Sequence, residues 1–156
     1  MTIAYVGIGS NMDDPRTHVL KAFEELDELP HTRLVKKSSL YRSAPAGYAA
    51  QPDFLNAVAQ LETALPAERL LAGLREIEAR HGRSRSFPNA PRTLDLDLLL
   101  FGDLEVHTPA LQVPHPRMRE RAFVLQPLLE IAPGLEERFG ASLEACAGQT
   151  IERIRG

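Results

Sequence analysis

The chain of 156 residues has no tryptophan, one cysteine and few lysines, since 3 of its 18 basic residues are lysine and 15 are arginine. Because Cys146 has no second cysteine to pair with, no internal disulfide can form, and a reducing cytoplasm is the expected compartment. No apolar run approaches the roughly 20 residues that span a bilayer, and the N-terminus lacks the basic leader of a secretory signal. The net charge of −3 argues against a broad nucleic-acid-binding surface.

The usual sequence patterns for nucleotide and zinc binding are also missing. The run Gly7-Ile8-Gly9-Ser10-Asn11-Met12 lacks the third glycine of a dinucleotide fingerprint, and no phosphate-binding loop ending in Gly-Lys-Ser/Thr occurs. No second histidine or cysteine stands at ligand spacing from His115, which argues against zinc. With 44% hydrophobic residues and no linker, the composition predicts one globular domain over residues 1–156.

The most informative stretch is acidic and lies at residues 94–101. Leucine alternates with aspartate there and gives way to an apolar run that ends at Gly102, which predicts a strand. Asp95 and Asp97 then project from one face, roughly 7 Å apart, while the leucines point into a core. Such a pair suits a hard cation such as Mg²⁺, particularly when phosphate oxygens complete its shell. The alternative is a half-exposed strand whose outer face is merely acidic.

A basic segment at residues 80–92 precedes this strand. It holds Arg83, Arg85 and Arg92 among prolines and a glycine, with almost no core-forming residue. Beside paired aspartates such a segment suits polyphosphate chemistry, because arginines neutralise the charge that develops on phosphate oxygens. A solvated loop explains most single arginines here, whereas Arg92 lies three residues before Asp95 and is predicted to be functional.

Three further places carry candidate binding residues. The loop at residues 43–52 contains two prolines and a glycine, and it is either a binding loop or a surface connector. Phe54 and Asn56 begin the next predicted strand, where they either contact a flat heterocycle or simply pack at a sheet edge. His115 lies between two prolines and is a candidate phosphate donor or a turn-stabilising residue.

The predicted elements follow the order strand, helix, strand, strand, helix, strand, then a hairpin and C-terminal helices. Two βαβ-like halves joined by an antiparallel pair describe an α+β protein with a ferredoxin-like βαββαβ core. The second strand is predicted at residues 33–41, and the last helical segment at 143–154. We expect the helices to cover the leucine face, with Asp95, Asp97, Phe54 and Asn56 on the opposite face.

Four segments carry a resemblance to a known family. They are Gly-Ile-Gly-Ser-Asn at residues 7–11, Asp-Phe-Leu-Asn-Ala at 53–57, Pro-Arg-Thr-Leu-Asp-Leu-Asp at 91–97 and Val-Pro-His-Pro at 113–116. Together they closely resemble 6-hydroxymethyl-7,8-dihydropterin pyrophosphokinase, an enzyme of folate biosynthesis, over about residues 2–134. The resemblance implies a ferredoxin-like fold and transfer of the terminal diphosphate of ATP to the pterin hydroxymethyl oxygen, with release of AMP.

The resemblance also implies roles for particular residues. Asp95 and Asp97 would hold two Mg²⁺ ions, and Arg83 and Arg92 would be the catalytic arginines. The residues that would contact ATP are Glu78, Arg85, Leu98, His115 and Arg121. The residues that would bind the pterin are Ser43, Pro45, Ala46, Gly47, Phe54, Asn56 and Phe123.

Two residues of the chain depart from the family pattern. Arg75 replaces a frequent glutamine, and Ala110 stands where an arginine that contacts ATP is common. Ala110 therefore predicts weaker ATP binding unless Arg117 or Arg119 compensates.

Two other functions stay open at this level. A ferredoxin-like nucleic-acid-binding module would use the arginine loops, but Asp95 and Asp97 on its binding face would repel phosphate without a metal. A two-metal phosphodiesterase would use the same aspartates, and it would hydrolyse its substrate without a pterin acceptor.

Overall fold

The computed structural model describes residues 1–44, 51–82 and 93–154. Within these ranges the chain is a mixed α and β protein with four α-helices, none of them long and apolar enough to cross a membrane. The helices are α1 (Pro15–Asp27), α2 (Ala67–Arg80), α3 (Ala122–Ile131) and α4 (Glu136–Ala145). The strands are β1 (Thr2–Ser10), β2 (Thr32–Lys37), β3 (Leu40–Ser43), β4 (Phe54–Thr63), β5 (Asp95–Phe101), β6 (Val106–His107), β7 (Gln112–Val113) and β8 (Ile151–Ile154).

Six strands form one antiparallel sheet in the order β5-β1-β4-β3-β8, with β2 also paired to β4. β2 and β3 lie one after the other along the same edge of β4. Ser38 joins them, because its N–H donates to the Val58 carbonyl at 2.9 Å and its Oγ accepts the Val58 N–H at 2.8 Å. β6 and β7 form a separate hairpin.

One face of the sheet is covered by α1 and α2. α1 begins at Pro15, which needs no backbone partner at a helix start, after Asp14, whose side chain accepts the Thr17 N–H. Apolar residues recur every three or four positions along both helices, so each buries one stripe. The stripes pack on three leucines of the β5 region in a single core: Val19, Phe23, Leu26, Leu70, Leu74 and Ile77 against Leu94, Leu96 and Leu98.

The opposite face is covered in part by α3 and α4, which enclose a second core around Val58 and Leu99. The first residues of α3 lie beside the end of β1 and the start of β4, next to the aspartates of β5. This leaves a portion of the sheet uncovered between Asp95, Asp97 and the start of β4. The sheet therefore presents a concave site on the face away from the leucines.

The pairing of β5 with β1 contains a bulge. Val6 pairs with Leu98 and Tyr5 with Leu100, so Leu99 has no partner in the register. The Leu99 carbonyl instead accepts the backbone N–H of His115 at 2.9 Å. The bulge thus brings the segment after β7 against β5, beside Asp97.

Most predicted elements are confirmed, and two predictions are wrong in detail. The strand predicted at residues 33–41 is divided into β2 and β3 by Ser38 and Ser39, although Ser38 stays hydrogen-bonded to Val58 of β4. In place of the helix predicted at 143–154, α4 begins at Glu136 and ends at Ala145, and residues 151–154 form β8, which pairs antiparallel with β3. A glycine-containing turn separates the two parts, and the four residues Ile-Glu-Arg-Ile are too few to show a periodicity that distinguishes helix from strand.

Candidate functional site

The side chains of Asp95 and Asp97 emerge from one face of β5, as predicted. Both are partly exposed, whereas Leu94, Leu96 and Leu98 are buried at 0%, 0% and 4% exposure. Residues two apart on a strand share a face at a spacing of roughly 7 Å. The carboxylates are therefore neighbours at the open side of the sheet.

Two glycines of β1 make room beside these carboxylates. Gly9 pairs with Asp95 and Gly7 with Asp97. Gly9 also pairs with Asn56 on β4, so the glycine lies between the acid and the amide. A Cβ on Gly9 would stand 3.3 Å from the Asn56 Oδ1 atom, on the floor of the site.

One of two cavities at the site, which we name the aromatic pocket, lies over these glycines. It encloses about 630 Å³, including its open mouth. β1, β3, β4 and β5 form its floor, and the first residues of α3 form one wall. Its polar and aromatic lining residues are Ser43, Phe54, Asn56, Asp95, Asp97, Arg121 and Phe123.

The aromatic pocket combines two rings with a buried amide. Phe54 at the start of β4 and Phe123 in the first turn of α3 both line it. Asn56 is 3% exposed, and its Nδ2 donates to Ser43 Oγ at 2.6 Å. This bond fixes the amide plane, so the pocket offers rings for stacking and an oriented polar group for the edge of a flat heterocycle.

A second cavity, which we name the hairpin pocket, lies on the other side of Asp97 and encloses about 510 Å³. α2, β5, the β6–β7 hairpin and the segment after it contribute its walls. Its lining residues are Leu71, Arg75, Asp97, Leu98, Pro109, Ala110, Leu111, Gln112, His115 and Pro116. Asp97 lines both pockets and therefore marks the place where their contents would meet.

The environment of Asp97 disfavours its charged form. Burial and the nearby Asp95 carboxylate raise the pKa of Asp97 to about 7, although Arg121 and Arg75 act in the opposite direction. The closest approach of the Arg121 guanidinium to the Asp97 carboxylate is 4.0 Å. At Asp97 the effects of burial and of the neighbouring carboxylate thus outweigh those of the two arginines, which favours a bound cation.

His115 faces this junction as a neutral ring. Burial, followed by the charge of Arg121, lowers the pKa of His115 to about 4. Its Nδ1 accepts the Arg117 N–H at 3.2 Å, so the proton resides on Nε2, which lies 3.9 Å from Asp97 Oδ1. The ring can therefore donate a hydrogen bond at the junction without adding charge.

Glu78 reaches the site from α2, and its carboxylate is bonded to other residues of the protein. Its carboxylate accepts the Leu96 N–H at 2.8 Å and pairs with Arg75 at 2.9 Å. The Arg75 guanidinium also donates to the Leu96 carbonyl at 2.9 Å. This network ties α2 to the backbone of β5 between the two aspartates.

The described candidate residues come together at the two pockets. Ser43, Phe54, Asn56, Asp95, Asp97, Arg121 and Phe123 line the aromatic pocket, and Leu98 and His115 line the hairpin pocket. Glu78 contacts β5 beside them. The remaining candidates lie outside the described residues: Pro45, Ala46, Gly47, Arg83, Arg85 and Arg92.

Sequence reasoning assigned no site role to Gly7 and Gly9, and it treated Arg75 only as a departure from a family pattern. The glycines carry a signal, because alternate glycines in an apolar strand indicate a surface that another molecule approaches closely. Arg75 follows Leu74, a residue of the apolar stripe of α2, and is not itself part of that stripe. Only the packing of α2 against β5 shows that its side chain reaches the site.

Fold and site together define a mixed α and β protein with two pockets that meet at paired carboxylates, an arrangement suited to phosphoryl transfer between two bound molecules. The family model described as 7,8-dihydro-6-hydroxymethylpterin-pyrophosphokinase (HPPK) matches residues 5–133. The chain belongs to this family.

Curated relatives agree with this assignment. A 2-amino-4-hydroxy-6-hydroxymethyldihydropteridine pyrophosphokinase of Pseudomonas aeruginosa is 47% identical over 156 residues, which cover 97% of this chain and 96% of that protein. The protein of the same name from Bacillus subtilis is 42% identical and covers 86% of this chain and 81% of its own length.

Solved structures agree on the fold. A crystal structure of an HPPK-DHPS in complex with substrates matches with a TM-score of 0.66 at 13% identity. The match covers 92% of this chain but 43% of that one, so this chain spans less than half of the solved protein.

Proposed function

We propose that this protein transfers the terminal diphosphate of ATP to the hydroxymethyl group of 6-hydroxymethyl-7,8-dihydropterin and releases AMP, as a step of folate biosynthesis. The observation that carries the proposal is that an aromatic pocket and a second, more polar pocket meet at Asp97. One pocket suits a flat acceptor and the other a nucleotide. The names of the curated relatives support the same reaction.

The aromatic pocket is the proposed pterin site. Phe54 and Phe123 would stack on the two faces of the ring, while Asn56 would hydrogen-bond its edge. Ser43 holds the amide of Asn56 in place. Backbone groups of residues 43–47, which include Pro45, Ala46 and Gly47, are proposed to complete this site.

The hairpin pocket is the proposed nucleotide site. Leu98 offers an apolar wall, and the Nε2–H of His115 faces the junction, where it would donate to a phosphate oxygen. Arg121 would do so from the aromatic side, and Arg85 is proposed to join them. Glu78 is proposed to act at the same subsite, while its bonds to Arg75 and Leu96 keep β5 and α2 in register.

The acids at the junction fit magnesium. Within the described residues no group of three or more His, Cys, Asp or Glu side chains is arranged to hold a metal. Two adjacent carboxylates, of which Asp97 has a raised pKa, suit an ion that takes its other ligands from phosphate oxygens and water. We propose that Asp95 and Asp97 hold two such ions, which would polarise the phosphate chain of ATP when bound.

The reaction needs alignment and charge neutralisation rather than a covalent intermediate. The pterin hydroxyl oxygen forms a bond to the β-phosphorus of ATP. The bond between the β-phosphorus and the oxygen that bridges it to the α-phosphorus breaks, so that oxygen leaves with AMP. The hydroxyl proton leaves to solvent. The two pockets hold acceptor and donor on either side of Asp97. Arg83 and Arg92 are proposed to stabilise the charge on the transferred group.

The architecture supports a ferredoxin-like assignment. β1, α1, β2 with β3, β4, α2 and β5 reproduce the order βαββαβ when β2 and β3 count as one broken strand. The sheet order β5-β1-β4-β3 is the one in which the first and third strands of that core are central. We propose one pyrophosphokinase domain over residues 1–156, which acts in the cytoplasm.

A product assay with omitted components tests the proposal. With ATP, Mg²⁺ and the hydroxymethyl pterin, we expect AMP and pterin diphosphate in equal amounts. Nucleotide hydrolysis that continues without the pterin would instead favour a phosphodiesterase, and ADP as product would favour a simple kinase. RNA binding that weakens with salt and needs no Mg²⁺ would favour a nucleic-acid-binding module.

A further inference from the structure

We infer that Arg75 is a nucleotide-binding residue of this chain, whose guanidinium contacts a phosphate group from the α2 wall of the hairpin pocket. The inference rests on the proposed function, because it assigns a residue to the nucleotide side of that reaction. Arg75 would supply the positive charge that Ala110, on the facing wall of the hairpin pocket, does not supply.

The charges that line the hairpin pocket point to Arg75. Among the described residues of its lining, Arg75 is the one arginine or lysine. His115 also lines the pocket, but its Nδ1 accepts a hydrogen bond from the Arg117 N–H, as a neutral ring does. Ala110, on the hairpin, is exposed and carries no charge. Among the described residues that line this pocket, Arg75 is therefore the one that offers an anionic ligand a positive charge.

Arg75 is also held in a pose that leaves donors for a ligand. Its Nη1 bonds the Glu78 carboxylate and the Leu96 carbonyl, both at 2.9 Å. Nε and Nη2 make no hydrogen bond within the described part of the chain, and 41% of the side chain is exposed. One edge of the planar fork is thus fixed by the protein while the other can meet a phosphate, which lowers the entropy cost of binding.

The two arginines that the sequence offered as substitutes for position 110 are used elsewhere. Arg119 stacks on Phe139, with its guanidinium carbon 4.8 Å from the ring centroid. Arg117 is largely exposed and lies 3.8 Å from Glu120. Neither lines the hairpin pocket. The compensating charge therefore comes from α2 and not from the segment after His115.

Titration calorimetry on the full chain tests this inference with three ligands: a non-hydrolysable Mg²⁺-ATP analogue, AMP and adenosine. Arg75→Gln should weaken binding of the analogue and of AMP about tenfold, the loss of one charge-assisted contact. Binding of adenosine, which has no phosphate, should be unchanged. Arg69→Gln removes the same charge from an exposed position of the same helix and should leave all three affinities as in the parent chain.

A relocated charge separates a phosphate contact from a merely structural role. Arg75→Gln combined with Ala110→Arg should recover most of the lost affinity, because the arginine then faces the same pocket from the hairpin. Arg75→Lys should lie between the parent and Arg75→Gln. Thermal unfolding of each variant without ligand identifies any effect that comes from the Glu78 and Leu96 bonds.

Several outcomes would overturn the inference. They are that Arg75→Gln binds all three ligands like the parent, that it loses adenosine affinity as strongly as AMP affinity, or that adding Ala110→Arg restores no affinity. If any of these results is found while the parent chain makes AMP and pterin diphosphate, Arg75 has no role in nucleotide binding and the proposed function is unaffected. A parent chain that binds no nucleotide and forms no product would remove both.

Discussion

At the scale of single residues, the site depends on side chains that are missing as much as on those present. Gly7 and Gly9 face Asp97 and Asp95 across β1 and β5, and Asn56 lies on the far side of Gly9. Any larger residue at these positions would occupy the floor of the aromatic pocket. The alternation with leucine identifies the two acids in the sequence, whereas the role of the glycines is evident only when the pairing of the strands is known.

Gly9→Ala should weaken pterin binding about tenfold or more while the protein stays folded. The added Cβ would lie 3.3 Å from Asn56 Oδ1 and would displace the amide that reads the pterin edge. The measurement is the pterin dissociation constant in the presence of a non-hydrolysable ATP analogue. Gly134→Ala is the control, because a Cβ there meets nothing within 4 Å. An unchanged pterin affinity would show that Asn56 does not read the ring.

Asp97→Asn should stabilise the metal-free protein at pH 8 while it removes activity. The folded pKa of about 7 lies above the ordinary value of 3.8, so the folded state loses stability as the pH rises between these values. An uncharged amide avoids this loss, which the full pKa shift sets at no more than about 4 kcal/mol at pH 8 and below about 1 kcal/mol near pH 4. Chemical denaturation in EDTA at both pH values measures the difference.

The exposed Asp103, just past the end of β5, provides the control for this comparison. Asp103→Asn should leave the pH dependence of unfolding as in the parent chain. If Asp97→Asn were less stable than the parent at pH 8, the carboxylate would be stabilised by its surroundings. The argument for an uncompensated site would then be wrong.

At the scale of elements, the C-terminal segment positions the start of α3. The side chain of Gln149 accepts the Ala122 N–H at 2.9 Å and donates to the Glu120 carbonyl at 2.7 Å. It therefore closes the first turn of the helix that carries Phe123 into the aromatic pocket. The turn before β8, which the sequence placed inside a helix, instead supports the site.

Gln149→Ala should cost about 1 kcal/mol of stability, the usual effect of losing a helix cap. It should also weaken pterin binding severalfold more than nucleotide binding, because Phe123 lies in the turn that the cap holds. Denaturant unfolding and calorimetry with each substrate measure the two effects. Gln126→Ala, on the exposed side of the same helix, should change neither affinity. Equal losses for both substrates would argue against this positioning role.

A second side-chain cluster joins the other end of α3 to the sheet. The Glu130 carboxylate accepts hydrogen bonds from the Ser39 N–H and Oγ and from the Tyr41 hydroxyl. Burial alone would raise the pKa of Glu130, but the bonds from Tyr41 and Ser39 and the charge of Arg153 outweigh it and lower the pKa. Both ends of α3 are thus tied to the sheet by polar side chains, which fixes the wall of the aromatic pocket.

At the scale of the whole molecule, the parts predicted well are those with a strong period. The Leu–Asp alternation of β5 and the apolar stripes of α1 and α2 determine which face is core, so the position of Asp95 and Asp97 follows. The C-terminal strand could not be predicted, because four residues carry too little pattern and their partner, β3, is distant in sequence. The role of Arg75 could not be predicted either, since it depends on how α2 packs on β5.

The central claim is that acids at the junction of two pockets support transfer of a diphosphate from ATP to a pterin. Phosphorus NMR of the complete reaction, with the parent chain, Asp97→Asn and the exposed control Asp103→Asn, tests it most directly. We expect the parent and the control to form AMP and pterin diphosphate in equal amounts, and Asp97→Asn to lose at least about a thousandfold in rate. Full turnover by Asp97→Asn, or ADP in place of AMP, would contradict the claim.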